Sequence, residues 1–96
     1  MSSSSIARVA TEMAPRYLGQ LCKHFGHRLP VRHDGAEGRI EFPFGVCTLK
    51  AEPGVLVLQA QTDSGAALAQ LEGVIARHLE RFAFRDQPTI DWQPQP

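Results

Sequence analysis

The chain has 96 residues, and its ten Lys and Arg side chains balance its ten Asp and Glu side chains. This length allows one domain with one modest core, and the 43% share of hydrophobic residues is too high for a disordered chain. A large basic excess is the usual footprint of a nucleic-acid-binding protein, so the zero net charge argues against a dedicated binder of that class.

The first residues predict a loose N-terminal tail. Residues 1–5, Met followed by four Ser, lack the basic region and the apolar stretch of a signal peptide. No apolar run along the chain approaches the roughly 20 residues needed to cross a bilayer. We therefore expect a cytoplasmic protein with no membrane contact, in which residues 1–8 lie outside the folded domain.

A first helix is predicted from Thr11 to Phe25. Thr11 is a favourable N-cap, and Pro15 falls within the first turn, where a missing N–H is tolerated. Gly26 is the natural C-terminal stop. Apolar side chains recur at three- and four-residue steps and predict one buried stripe: Ala14, Leu18, Leu21, Cys22 and Phe25.

Four short strands are predicted next, over residues 29–32, 39–42, 46–51 and 55–60. Turn-forming segments rich in Gly, Pro and Asp separate them, at residues 34–38, 43–45 and 52–54. The second strand alternates polar and apolar residues, which is typical of a half-buried strand. The fourth strand is the most apolar and is expected inside the sheet.

A second helix of about twenty residues is predicted to begin at the N-cap Asp63. Its apolar face steps by three and four residues: Leu68, Leu71, Ile75, His78 and Phe82. Residues 89–92 predict a short closing strand, and residues 93–96 predict a loose C-terminal tail.

This order predicts an α+β protein of one domain over residues 1–96. The elements α-β-β-β-β-α suit a two-layer sandwich, with an antiparallel four-stranded meander and both helices on one face. The opposite face of the sheet would carry side chains that suit water: Arg39, Glu41, Thr48 and Lys50. The apolar fourth strand suits water less, so a homodimer across that face or edge is one expectation.

The charges are unevenly placed along the chain. Between Met13 and His33 there is no acidic residue, while four Lys or Arg and three His occur there. This acid-free stretch is either a solvated flank balanced by neighbouring acidic hairpins or a docking face for an anionic ligand or partner. In the second interpretation the binding residues are Arg16, Tyr17, Lys23, His24, His27, Arg28, Arg32 and His33.

Cysteine and histidine at short spacing suggest a metal site, whose candidate ligands are Cys22, His24, His27 and Cys47. Helical geometry weakens this hypothesis, because at about 100° per residue the side chains of Cys22 and His24 point apart. Two cysteines in apolar runs of a cytoplasmic chain are more typical of reduced, buried core thiols.

His78 lies on the apolar stripe of the second helix and is interpreted as a structural residue. A buried imidazole needs hydrogen-bond partners, for which a backbone carbonyl or Tyr17 is the candidate. The chain has no phosphate-binding glycine loop, no G-x-S-x-G elbow and no H-E-x-x-H pair. We therefore expect neither catalytic residues nor a cofactor.

Several strings resemble the bacterial family catalogued as domain of unknown function 2218. They are Ala10-Thr11-Glu12, Arg16-Tyr17-Leu18, Leu21-Cys22-Lys23-His24-Phe25-Gly26-His27, Gly38-Arg39-Ile40, Phe42-Pro43-Phe44-Gly45-Val46-Cys47, Arg77-His78-Leu79-Glu80-Arg81-Phe82-Ala83-Phe84-Arg85 and Ile90-Asp91-Trp92. Members of that family stand alone or are fused to siderophore-interacting, flavin-dependent ferric reductases. The resemblance implies an accessory role in siderophore-iron handling.

The sequence and the resemblance together leave three functional hypotheses. The first is a non-enzymatic binding or adaptor domain that meets a ferric siderophore, or a siderophore-interacting ferric reductase, through the acid-free stretch. The second is a small metal-binding or redox-active protein that uses its cysteines and histidines. The third is a structural dimer without a small ligand.

Overall fold

The computed structural model describes residues 2–95, in which two helices pack on a six-stranded antiparallel sheet. The elements are β1 (Ser3–Ala10), α1 (Ala14–Phe25), β2 (Val31–Asp34), β3 (Glu37–Phe42), β4 (Gly45–Glu52), β5 (Val55–Thr62), α2 (Gly65–Phe82) and β6 (Gln93–Gln95). The strands lie in the order β2-β3-β4-β5-β1-β6. The predicted α+β class is confirmed, and β2 to β5 form the predicted meander.

One face of the sheet carries the core. The register places Ile40 opposite Cys47 and Leu49 opposite Leu58, and all four side chains are buried. Alternate residues point to opposite faces of a strand, so these side chains share one face. Both helices pack against it, α1 mainly over β2 to β5 and α2 over β1, β4 and β5. Among the described residues 2–95, no helix covers the opposite face.

α1 buries the stripe that its spacing predicts, whereas Leu68, His78 and Phe82 of the predicted α2 stripe are only half-buried. In α1 the buried residues are Ala14, Tyr17, Leu18, Leu21, Cys22 and Phe25, and in α2 they are Leu71, Ile75 and Leu79. The N-cap of α2 is Ser64 and not Asp63, since the Ser64 hydroxyl accepts a hydrogen bond from the Ala67 N–H at 3.2 Å. Within residues 2–95, no helix is long and apolar enough to cross a membrane.

The predicted loose N-terminal tail is wrong, because residues 3–10 form β1 between β5 and β6. Ala7 and Val9 are fully buried, and the buried Ser5 hydroxyl donates to Glu72 Oε2 at 2.5 Å. A serine can occupy the core side of a strand when its hydroxyl has such a partner. Because β1 begins with small, polar residues, its sequence does not indicate a strand. Met1 lies outside the described residues.

The C-terminal prediction also needs correction. The short closing strand occupies Gln93–Gln95 instead of residues 89–92, so residues 93–95 of the predicted tail belong to the sheet. β6 pairs with β1, and Gln59 Nε2 donates to Gln95 Oε1 at 2.8 Å. β6 lies at a sheet edge and has few apolar residues. Its hydrogen bonds with β1 hold it in the sheet. Pro96 lies outside the described residues.

Thr11 does not cap α1. The N-cap position is Met13, which makes no side-chain cap hydrogen bond. Thr11 accepts a hydrogen bond from the Met13 N–H at 3.0 Å and donates its own to Asp86 Oδ2 at 2.7 Å. The threonine therefore ties the start of α1 to the segment that follows α2, which local sequence alone does not indicate.

Candidate functional site

A surface depression of about 550 Å³ lies where the start of α1 meets the segment after α2. We call it the aromatic–arginine groove. Its lining residues are Met13, Arg16, Tyr17, Phe82, Phe84, Arg85 and Asp86. Two guanidinium groups, three aromatic rings and one carboxylate therefore surround a single concave surface.

Asp86 holds the two sides of the groove together. Its carboxylate accepts hydrogen bonds from the hydroxyls of Thr11 and Tyr17, at 2.7 and 3.1 Å. Burial raises the pKa of the Tyr17 phenol, and the hydrogen bond and negative charge of Asp86 raise it further. Tyr17 therefore remains a protonated donor at neutral pH, and it anchors the wall of the groove.

The chain leaves α2 in a tight turn that exposes an aromatic ring. The N–H groups of Asp86 and Gln87 both bond to the Ala83 carbonyl at 2.9 Å, and Gln87 has a φ of 46°. Ala83 is buried by this turn, whereas Phe84 is 64% exposed. A single exposed apolar residue is ordinary on a protein surface, whereas several that lie together often mark a contact site.

One arginine lies against this exposed ring and a second lines the same depression. The Arg85 guanidinium lies 5.6 Å from the centroid of the Phe84 ring, within the range of a cation–π contact. Arg16 lines the same groove, as does Met13, which is 37% exposed. Within residues 2–95, Met13 and Phe84 are the exposed large hydrophobic residues, and the fold brings both into one groove.

The structure does not gather the acid-free stretch into one surface. Arg16 and Tyr17 line the aromatic–arginine groove, although the Tyr17 ring is buried. A separate depression of about 430 Å³ is lined by His24, Phe25, His27 and Arg28. Lys23 is exposed on α1.

Arg32 and His33 lie apart from the rest of the stretch, on β2. His33 pairs with Gly38, so its side chain belongs to the helix-covered face, and a methyl group at Gly19 would lie 3.7 Å from its Cε1. Arg32 pairs with Arg39 and belongs to the opposite, uncovered face. The helix, the turn and the strand direct these predicted site residues to different surfaces.

Sequence reasoning assigned only Arg16 and Tyr17 of the seven lining residues to a site and missed the other five: Met13, Phe82, Phe84, Arg85 and Asp86. Arg85 lies three residues beyond the end of α2 at Phe82. One signal was present: Phe84 is an aromatic residue that does not fall on the apolar stripe of α2. An off-stripe aromatic residue just after a helix deserves consideration as a surface contact.

The four candidate metal ligands are not brought together. Cys22 and Cys47 are buried free thiols, whereas His24 and His27 are exposed. Burial raises the pKa of the Cys47 thiol to about 12 and raises that of Cys22 as well. Within the described part of the chain, no three His, Cys, Asp or Glu side chains form a group that could hold a metal ion.

His78 makes the kind of contact expected of a structural histidine. Its Nδ1 lies 2.7 Å from the Val74 carbonyl oxygen, to which it donates. Its ring centroid is 4.8 Å from that of Phe25 and 4.7 Å from that of His24. Tyr17, the other candidate partner, bonds to Asp86 instead. His78 therefore joins α1 to α2, and its purely structural role stays a prediction.

The contact between His24 and His78 predicts a loss of stability in acid. Desolvation lowers the pKa of His24 below its ordinary 6.5, and the positive charges of His78, His27 and Arg81 lower it further. Below the ordinary pKa the unfolded chain binds more protons than the folded protein. The free energy of unfolding should therefore fall as the pH drops below 6.5, until the folded-state pKa of His24 is passed.

Urea unfolding at a series of pH values measures this effect. The variant His24→Gln should show a smaller decrease in unfolding midpoint between neutral and acidic pH than the wild type. His33→Gln is the matched control, because His33 lies at the sheet edge away from this contact, and it should follow the wild type. An unchanged acid response in His24→Gln would contradict the prediction.

The fold and the groove define a small two-layer α+β domain with one helix-covered sheet face. The chain belongs to the bacterial family described as "Uncharacterized protein conserved in bacteria (DUF2218)", whose model matches residues 6–93, which confirms the resemblance. A solved relative is the NMR structure of PA4090 from Pseudomonas aeruginosa, which is 35% identical with a TM-score of 0.81 over 95% of each chain. No curated protein matches this chain.

Proposed function

We propose that this chain is a non-enzymatic binding domain for an anionic, aromatic ligand, and that the aromatic–arginine groove is its site. One observation carries the proposal. The 64% exposed Phe84 ring lies in the same depression as the guanidinium groups of Arg16 and Arg85. A ring that accepts stacking in the same depression as two positive charges suits a ligand that is both flat and negative.

The charge balance in the groove favours an anion. Asp86 already accepts two hydrogen bonds from hydroxyl groups. Neither arginine has a carboxylate within 4.0 Å among residues 2–95. The guanidinium donors are therefore available for charge-assisted hydrogen bonds to an incoming anion.

A ferric catecholate siderophore fits this chemistry, because it presents aromatic rings and a net negative charge. This ligand class agrees with the siderophore association that the family resemblance implies. A siderophore-interacting ferric reductase is the second candidate occupant, since exposed Phe84 and Met13 also suit a protein contact.

Isothermal titration calorimetry with the iron(III) complex of a tris-catecholate siderophore tests the proposal. The double variant Arg16→Glu, Arg85→Glu should bind at least about tenfold more weakly, because two charge-assisted contacts become repulsive. Binding to the wild type should weaken as salt rises. The same titration with a siderophore-interacting ferric reductase tests whether that protein is the occupant of the groove.

The matched control is Lys23→Glu, Arg28→Glu. It reverses two charges of the same acid-free stretch outside the groove, so its affinity should stay within about twofold of the wild type. Equal losses in both variants would assign binding to general charge instead of the groove. No binding by the wild type to either probe would refute the proposed function.

A further inference from the structure

The uncovered face of the sheet carries two like-charged pairs side by side. Arg32 on β2 lies directly opposite Arg39 on β3, and two residues further along the hairpin Asp34 lies opposite Glu37. All four side chains are exposed and point away from the helices. Like charges directly opposite each other destabilise a sheet, so this arrangement is unfavourable in an isolated chain.

Within residues 2–95 neither pair takes part in an ion pair, although Glu37 lies opposite Lys50 on β4. Among residues 2–95 the only ion pair joins Lys50 to Glu52 at 3.7 Å. The arginine pair and the carboxylate pair instead line a depression of about 480 Å³ on this face. Two positive and two negative charges thus remain without an ionic partner, although each would gain from one.

The pattern is self-complementary. The two pairs are separated by two residues along the strands, or about 6.7 Å. A two-fold axis that crosses the strands between them would place the arginine pair of one copy over the carboxylate pair of the other, and the reverse. Such an isologous contact satisfies all four charges of both copies at once.

We propose that this face binds a second copy of the chain, with Arg32 and Arg39 of each copy paired with the Asp34 and Glu37 side chains of the other. Sheets pack face to face about 10 Å apart, which the combined lengths of an arginine and a carboxylate side chain span. Lys50 also lines this depression, but it is already ion-paired with Glu52. The charges left without an ionic partner are therefore two of each sign, which fits a second copy better than a simple anion. Half-buried Val57 on the same face adds apolar contact area.

Charge reversal combined with mixing tests the proposal. Sedimentation velocity should show a wild-type dimer that forms with rising concentration, up to about 1 mM, and weakens with salt. The acidic variant Arg32→Glu, Arg39→Glu and the basic variant Asp34→Lys, Glu37→Lys should each lose at least about tenfold in self-association. An equimolar mixture of the two should form a heterodimer.

Two further variants keep the test decisive. The fourfold variant that combines both pairs of substitutions is self-complementary again and should dimerise, which separates lost pairing from lost folding. Lys23→Glu, Arg28→Glu reverses charges elsewhere and should dimerise like the wild type. A monomeric wild type at about 1 mM, a dimeric acidic variant, or a mixture that stays monomeric would each overturn the proposal.

Discussion

Replacing Val9 by Asp is expected to unfold the domain, whereas replacing its neighbour Arg8 by Asp should leave the melting temperature nearly unchanged. Val9 is fully buried on β1, opposite Leu56 in β5, while Arg8 is exposed on the other face. An unpaired carboxylate in an apolar core costs several kcal/mol. That cost is comparable to the about 5–15 kcal/mol that stabilise a whole domain.

Thermal unfolding followed by circular dichroism, together with the dispersion of amide NMR signals, measures both variants. Val9→Asp should show no cooperative transition and collapsed signal dispersion. Arg8→Asp should stay within about 0.5 kcal/mol of the wild type, as surface substitutions usually do. If Val9→Asp melted like the wild type, residues 3–10 would not belong to the core.

Replacing Gly45 by Ala is expected to destabilise the domain by about 1–3 kcal/mol, the usual cost of overpacking. An added Cβ would lie 2.5 Å from Thr62 Cγ2 and 2.7 Å from the Gln61 carbonyl oxygen. The carbonyl belongs to β5, which pairs with β4 at this point, so it cannot move without disturbing the ladder. Gly45 therefore allows the two strands to approach each other.

Gly65→Ala is the matched control for this substitution. A Cβ at Gly65, the first residue of α2, has no heavy atom within 4 Å. Alanine also favours the helix more than glycine, so the stability should be unchanged or slightly higher. Urea midpoints of the two variants provide the comparison, and equal midpoints would show that the close approach at Gly45 is not tight.

Local pattern predicted most of the fold. The apolar stripe of α1 and the turn signals between β2 and β5 are short-range features, and the structure contains both the helix and the meander. β1 was not predicted, because the contacts that hold it in the sheet are long-range: its pairing with β5 and the hydrogen bond from Ser5 to Glu72. Three consecutive serines at Ser3–Ser5 carry no local signal of that partner.

The sequence identifies several residues of the candidate surfaces, but the tertiary structure determines which of them share a surface. The amino-acid sequence by itself determined the family, the α+β class, the two core thiols and the presence of an acid-free stretch. Only the tertiary structure divided that stretch, because consecutive residues of a helix or strand point to different faces. It also placed Arg16 and Phe84 in one depression, where Asp86 bonds to Tyr17. Hairpin register placed Arg32 opposite Arg39, since that pairing depends on where β2 and β3 align.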